Sequence, residues 1–107
     1  MMITKKDTVT PRFDPVIHEP TRLRICGMLS PVKEMCFADI RDALGLSDSM
    51  CSRHLNALAE SNYIDVYKLP GDTNRHRVTW AALTPQGHQA LEAHLAALQA
   101  IANGTML

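Results

Sequence analysis

The chain has 107 residues, of which 46% are hydrophobic, and its 11 basic residues balance its 11 acidic ones. This length suits one domain with a single core, and a net charge of zero excludes a strongly basic protein that coats nucleic acid nonspecifically. Cys26, Cys36 and Cys51 form no Cys-x-x-Cys pair, which indicates reduced thiols rather than a disulfide framework. No apolar run is long enough for a membrane span or a signal peptide. We therefore expect a soluble, cytoplasmic protein.

The N-terminal sequence predicts a flexible arm followed by two successive helix starts. Residues 1–12 are polar and unpatterned, so they are predicted to form a flexible arm, with order beginning at residue 13. Asp14-Pro15 and Glu19-Pro20 indicate two successive helix starts, because proline is tolerated in a first turn. The second of these helices is predicted over Pro20–Leu29.

The next segment predicts a helix-turn-helix. Met35-Cys36-Phe37 is interpreted either as a brief strand or as the start of a helix that runs to Leu44. Gly45 favours a helix end there, since glycine adopts the left-handed conformation easily. Ser47 is a good N-cap for a further helix that reaches about Ser61. Two helices separated by so few residues are typical of a helix-turn-helix.

The helix after Ser47 has two different faces. At about 100° per residue, Cys51, Leu55 and Leu58 fall on one apolar stripe. The opposite side carries short or forked polar side chains of the types that hydrogen-bond to base edges in DNA. We predict base contacts from four of them: Ser49, Ser52, Arg53 and Asn56.

A basic hairpin is predicted next. The segment Tyr63–Leu69 alternates and is rich in β-branched and aromatic residues, which predicts a strand. A turn cluster at residues 70–74 and a returning strand over Arg75–Leu83 complete the hairpin. A basic hairpin after a helix-turn-helix is typical of a wing that contacts DNA phosphates. The predicted phosphate contacts are Ser47, Thr73, Arg75 and Arg77.

The last predicted helix begins at Thr84-Pro85 and runs to Ala102, so that residues 84–102 form a C-terminal dimerisation helix and residues 103–107 a tail. Its main apolar stripe is predicted to be Leu91, Leu95, Leu98 and Ala102. Alanines beside this stripe widen the apolar surface beyond what one small domain covers, which indicates a second subunit. The predicted dimer interface also includes the Pro20–Leu29 helix and comprises Ile25, Met28, Leu91, Leu95 and Leu98.

Several stretches together carry a resemblance to a known family. They are Asp14-Pro15-Val16-Ile17-His18, Asp42-Ala43-Leu44-Gly45-Leu46-Ser47, Ser52-Arg53-His54-Leu55 and Leu83-Thr84-Pro85-Gln86-Gly87. With these, the chain resembles the winged helix-turn-helix transcriptional regulators of the ArsR and MarR type over residues 13–102. The resemblance implies a mainly α fold with a β-hairpin wing, double-stranded DNA as a partner, and a homodimer that pairs through its first and last helices.

This chain departs from the family pattern in the returning strand and near Cys36. Ala81 and Ala82 stand in the returning strand where an aromatic and a basic residue are frequent, and Trp80 is shifted by one, which leaves the packing of the wing open. Metal-sensing relatives carry two cysteines one residue apart, where this chain has Cys36 and then Ala38. Without the thiolate pair that clamps a soft metal, we expect neither a metal site nor another cofactor.

Three other groups have competing interpretations. Cys36 is either a redox-sensitive thiol or a small buried hydrophobe. His54 is expected to pack at the edge of the helix-turn-helix or to touch a phosphate. Asp39 and Asp42 lie on one helix face, but no nucleophile or phosphate-binding loop accompanies them, so we predict no catalytic residue and no enzyme.

We therefore predict a cytoplasmic, homodimeric, sequence-specific DNA-binding transcriptional regulator. The helix after Ser47 would lie in the major groove and the hairpin along the DNA backbone. The alternative is a winged-helix protein-interaction module that does not bind DNA, which the zero net charge favours. The sequence does not indicate the operator, the regulated genes or a small-molecule effector.

Overall fold

The computed structural model describes residues 9–72 and 76–105. Within these residues, five helices and a small sheet pack together, and the mainly α fold with a β-hairpin wing is confirmed. The elements are α1 (Pro15–His18), α2 (Pro20–Leu29), β1 (Met35–Cys36), α3 (Phe37–Leu44), α4 (Asp48–Glu60), β2 (Ile64–Pro70), β3 (Arg77–Leu83) and α5 (Pro85–Ala102). Within this part of the chain, no helix is both long and apolar enough to cross a membrane.

The helices begin at the capping residues that the sequence predicted. Side-chain oxygens at four N-cap positions accept hydrogen bonds from backbone N–H groups of the following first turn, and these residues are Asp14, Glu19, Ser47 and Thr84. Each cap satisfies donors that a helix start leaves without an intrahelical partner. Prolines stand in the first turns of α1, α2 and α5. The two successive helix starts near the N-terminus are therefore confirmed.

The sheet is antiparallel, with the strand order β1-β3-β2. Met35 pairs with Ala81 and Cys36 with Trp80, so a brief strand forms here, and Phe37 already begins α3. On the other side of β3, Tyr67 pairs with Trp80. Ala81 is only 1% exposed, and a small side chain fits this position in the central strand, beneath the helices. The alanines that depart from the family pattern are thus compatible with full pairing of β2 and β3.

The core lies between the sheet and the helices, and Cys51, Leu55 and Leu58 of α4 belong to it as predicted. Burial, followed by the charge of Asp14, raises the pKa of the Cys26 thiol to about 11. The charge of Arg22 has a smaller effect in the opposite direction. Burial likewise raises the pKa of Cys51. Both thiols are therefore packing groups that stay protonated near neutral pH. Cys36 is half-buried at the start of α3.

The buried stripe of α5 differs from the predicted one. Four residues at helical spacing are buried on this helix: Gly87, Leu91, His94 and Ala97. Leu95, which the sequence placed on the main stripe, is 49% exposed. The cause is a close approach at Gly87, where an added Cβ would lie 2.1 Å from the carbonyl oxygen of Tyr63. This contact sets the rotation of α5 about its axis and turns His94 inward.

The dimer-interface prediction is corrected accordingly. Ile25 is 0% exposed and Leu91 is 5% exposed within the single chain. Side chains that their own chain already encloses have almost no surface left for a partner. Met28 and Leu98 are half-buried and Leu95 is exposed. These three residues remain as the candidate interface.

The ends of the chain agree with the prediction in part. The backbone N–H of Arg12 donates to the carbonyl of Ala93 at 2.9 Å, so the chain contacts α5 one residue before the predicted start of order. At the other end, α5 stops at Ala102 as predicted. Most of the predicted arm and the tip of the wing, with Thr73 and Arg75, lie outside the described residues.

Candidate nucleic-acid interface

The four predicted base-contacting residues lie together on the outward face of α4. Their spacing of three, four and seven positions places them on one side of the helix. All four are exposed, whereas the opposite side of α4 is buried in the core. We call this set the α4 outward face, and it consists of Ser49, Ser52, Arg53 and Asn56.

Arg53 has the most directional chemistry on this face. Its planar guanidinium carries several N–H donors in a fixed fork, which suits two parallel hydrogen bonds to a guanine edge. Asn56, one helical turn further on, has an amide that suits adenine. Among the residues that the structure describes, no carboxylate forms an ion pair with Arg53. Its charge is therefore directed to solvent.

Ser47 serves first as a structural cap. Its Oγ accepts a hydrogen bond from the Met50 backbone N–H at 3.1 Å and lies 3.3 Å from the Oγ of Ser49. A serine hydroxyl that accepts one bond still has a proton to donate. The predicted phosphate contact is thus compatible with the capping role, since the start of α4 also has free backbone donors.

Arg41 holds the helix-turn-helix together, a role that was not predicted from the sequence. Its Nε donates to Asp42 and its Nη1 to Asp48, each at 2.9 Å, which ties the end of α3 to the start of α4. The hydrogen bonds to Asp42 and Asp48 raise the pKa of Arg41, and the one from Arg41 lowers the pKa of Asp42. Gly45 makes the turn between them at a φ of 63°.

The sequence contained the signal for the ion pair between Arg41 and Asp48. An arginine in the last turn of one helix and an aspartate in the first turn of the next both suit the helix dipoles. In the structure, Arg41 also offsets the negative charge of Asp48 at the start of α4.

His54 lies between α2 and α4, as the packing interpretation predicted. It is 6% exposed, and the Nη1 of Arg22 lies 3.3 Å from its Nδ1. Arginine can only donate, so Nδ1 accepts and the ring proton is on Nε2, which faces Glu19 Oε2 at 3.9 Å. Burial raises the pKa of Glu19, but hydrogen bonds from the backbone N–H groups of Arg22 and Thr21 and the positive charge of Arg22 lower it overall. His54 therefore has almost no surface for a phosphate contact.

Arg77 is exposed on the wing, and its Nη2 donates to the carbonyl of Lys68 on the paired strand at 3.0 Å. This bond leaves other guanidinium donors facing solvent. Lys68 is also exposed, so β2 and β3 each present a cation. At the base of the wing, the Tyr67 hydroxyl donates to the Glu34 carboxylate. This hydrogen bond, together with burial, raises the pKa of Tyr67 to about 12.

The described residues contain no group of three or more His, Cys, Asp or Glu side chains that could hold a metal ion. Cys36 lies at the N-cap of α3, where its side chain makes no capping hydrogen bond. The other cysteines are enclosed in the core. The chemistry of this surface is therefore that of hydrogen-bond donors and cations.

The fold and this surface agree with a known family. The family model of the winged helix DNA-binding domain matches residues 21–102. The match covers most of the chain, which therefore belongs to the winged helix DNA-binding domain family. Winged-helix transcriptional regulators are not enzymes. No curated protein sequence matches the chain.

Solved structures of transcriptional regulators have a similar fold. The transcriptional regulator homologue protein from Pyrococcus horikoshii OT3 is 25% identical, with a TM-score of 0.76 over 86% of this chain and 89% of that chain. A possible transcriptional regulator for arsenical resistance is 28% identical, with a TM-score of 0.57 over 83% and 78%. An ArsR family transcriptional regulator at 23% identity shares the fold, with a TM-score of 0.59 over 82% and 89%. The predicted resemblance to ArsR and MarR regulators is confirmed.

Proposed function

We propose that this protein is a cytoplasmic, homodimeric transcriptional regulator that binds a specific double-stranded DNA site. In this proposal α4 enters the major groove and the wing follows the adjacent backbone. The α4 outward face makes the base contacts. Arg77 and Ser47, together with Thr73 and Arg75 of the wing tip, contact phosphates.

The observation that carries this proposal is the segregation of α4 into two faces. Its apolar side chains are fixed in the core, so the helix has one rotation, and that rotation exposes all four polar residues at once. A major groove admits an α-helix, and contacts to base edges there distinguish all four base pairs. Membership of the winged helix DNA-binding domain family supports the same assignment.

The net charge of the chain favours sequence-specific over nonspecific DNA binding. The chain has no net charge, so long-range attraction to the phosphates is small and the contacts at the interface must supply the selectivity. Arg41 lies close to both Asp42 and Asp48 and offsets their charge beside α4.

The homodimer part of the proposal rests on the exposed apolar surface of α5. Leu95 is 49% exposed and Ile101 is 45% exposed. Val9 of the N-terminal segment lines an apolar cleft of about 280 Å³ with Leu95. We propose that a second copy packs on Met28, Leu95 and Leu98 and buries this surface, with the two recognition helices about one DNA turn apart.

The test is selection of bound DNA from a random library by the full chain at fixed salt. We expect enrichment of a pseudo-palindrome whose half-sites lie about one helical turn apart. Failure to enrich any sequence would favour the protein-interaction module. Enrichment of a single half-site would keep DNA recognition and reject the dimer.

Sedimentation of the Leu95→Asp variant tests the dimer separately. We expect wild type to sediment as a dimer at micromolar concentration and the variant as a folded monomer, because a carboxylate would be buried in the interface. Gln89→Asp, which adds a carboxylate at an exposed position of the same helix outside this cleft, is the matched control. A wild-type monomer at that concentration would reject the proposed interface.

A further inference from the structure

A cluster of three rings joins the N-terminal segment to α5. The ring centroid of Phe13 lies 4.6 Å from that of His18 and 5.0 Å from that of His94. The two histidine rings are 5.3 Å apart. His94 is 0% exposed, whereas His18 lies at the surface. The segment Phe13–His18 thus rests on a buried histidine, and we call this segment with His94 the N-terminal latch.

The hydrogen bonds of the latch determine where the ring protons lie. The backbone N–H of Asp14 donates to His94 Nδ1 at 3.0 Å, so this nitrogen carries no proton. The proton of a neutral His94 is then on Nε2, which lies 3.3 Å from Nδ1 of His18. His18 Nδ1 therefore accepts, and its own proton points away from His94. This arrangement is complete when both rings are neutral.

A second proton on His94 breaks the arrangement. It can bind only at Nδ1, where it would face the N–H of Asp14, and two donors would then oppose each other. Histidine gains its second proton in the range around its ordinary pKa, which is close to physiological pH. The contact between α5 and the N-terminal segment is therefore sensitive to mild acid.

Two neighbours of the latch stay neutral through this range. Burial, followed by the hydrogen bond to Asp14, raises the pKa of the Tyr63 phenol to about 12. The Cys26 thiol of α2 has a pKa of about 11 because it is buried. Neither group changes charge between pH 5 and pH 8, so neither competes with His94 as the titrating group.

The charged side chains beside the latch already have hydrogen-bond partners within the chain. The Asp14 carboxylate accepts hydrogen bonds from the Val16 and Ile17 N–H groups and from the Tyr63 hydroxyl. On α2, the Arg22 guanidinium donates to the Val16 carbonyl at 2.6 Å. The N-terminal segment is thus held by its own caps on one side and by His94 on the other.

The electrostatic balance at His94 favours the neutral ring. Burial lowers the pKa of His94, and so does the repulsion that arises when His18 is also protonated, whereas the opposing effect of Asp14 is smaller. In the unfolded chain the ring takes its proton near the ordinary value of 6.5. The stabilising contribution of neutral His94 is therefore complete above 6.5 and is lost as the pH falls through the lowered pKa of the folded state.

We propose that His94 is the proton sensor of an acid-sensitive latch: the neutral ring holds the segment Phe13–His18 on α5, and its protonation releases that segment. His18 is the positioning residue that orients the ring. The bond from Arg12 N–H to the Ala93 carbonyl belongs to the same contact and loosens with it. The latch does not depend on DNA binding.

Amide exchange and imidazole resonances of the full chain, followed by NMR from pH 8 to pH 5, test this proposal. We expect the protection factor of the Asp14 amide to fall at least tenfold as His94 titrates. The variant His94→Asn keeps a side-chain acceptor for this amide but has no titratable ring, so its protection should not change with pH. His88→Asn on the same helix is the matched control and should behave like wild type.

Constant Asp14 protection in the wild type would overturn the proposal, as would a wild-type transition in His94→Asn. If that variant does not fold, His18→Gln at a surface position keeps an acceptor for His94 Nε2 without the second charge. In His18→Gln the His94 titration should move to higher pH, and the loss of Asp14 protection should move with it. Separate movement of the two transitions would reject His94 as the sensor.

Discussion

The α4 outward face and the N-terminal latch are both polar, but they differ in whether their polar groups have hydrogen-bond partners within the chain. On α4 the four polar residues are exposed and directed to solvent. In the latch, Asp14 and His94 are hydrogen-bonded to groups of their own chain. No buried side-chain nitrogen or oxygen within residues 9–72 and 76–105 lacks a partner. A polar group with internal partners stabilises the fold, whereas an exposed one is available to a ligand.

Polarity on a helix face does not by itself identify a binding surface. His54 and Arg53 are neighbours in the sequence and differ in this respect, since one is enclosed between helices and the other is exposed. Substitutions in the latch should therefore change stability without changing DNA selectivity. Substitutions on α4 should do the reverse.

The largest effect is expected for Asp14→Ala. This change removes the N-cap of α1 and the acceptor for the Tyr63 hydroxyl. We expect a loss of about 2 to 3 kcal/mol in the free energy of unfolding, measured by chemical denaturation, from one cap and one part-buried hydrogen bond. Asp14→Asn keeps an acceptor and should lose less than half as much. Equal losses in the two variants would contradict the assigned role of the carboxylate oxygens.

The second-largest effect is expected for Arg53→Ala, which removes a forked hydrogen-bond donor from the α4 outward face. We expect the affinity for the selected site to fall by about 2 kcal/mol, with relaxed preference at one base pair per half-site. Unfolding should change by less than about 0.5 kcal/mol because the residue is exposed. Arg24→Ala, an exposed arginine on α2, is the control and should leave selectivity unchanged. A uniform loss on all DNA sequences would contradict the base contact.

A smaller effect is expected for Arg77→Gln on the wing. Glutamine keeps a donor for the Lys68 carbonyl but removes the charge. We expect all DNA sequences to bind more weakly, by about tenfold or less at low salt, and the salt dependence to fall by about one counterion per subunit. Binding measured over a salt series checks this. A change confined to one base position would show that Arg77 contacts a base.

The smallest effect is expected for Cys36→Ser, which belongs to neither region. Its thiol is half-buried and makes no capping hydrogen bond. We expect DNA affinity and metal content to be the same as in the wild type, as measured by binding assays and elemental analysis. Stoichiometric zinc that disappears with this change would contradict the prediction that the protein needs no metal.

Much of the fold was predictable because its determinants are local. The caps at Asp14 and Ser47 act on N–H groups two or three residues away, and Gly45 ends α3 within one turn. The apolar stripe of α4 follows from helical periodicity alone. The same periodicity placed the exposed polar residues of α4 on one side. Short-range rules were therefore sufficient for the elements and for the candidate DNA-binding face.

The sequence by itself determined the capped helices, the helix-turn-helix, the hairpin and the polar side of α4. Only the tertiary structure decided the rotation of α5, where the close approach of Gly87 to Tyr63 turns His94 inward and Leu95 outward. The partners that give His94 its role are 76 and 80 positions away in the chain. No local pattern encodes such a contact, because it depends on how separately formed elements pack together.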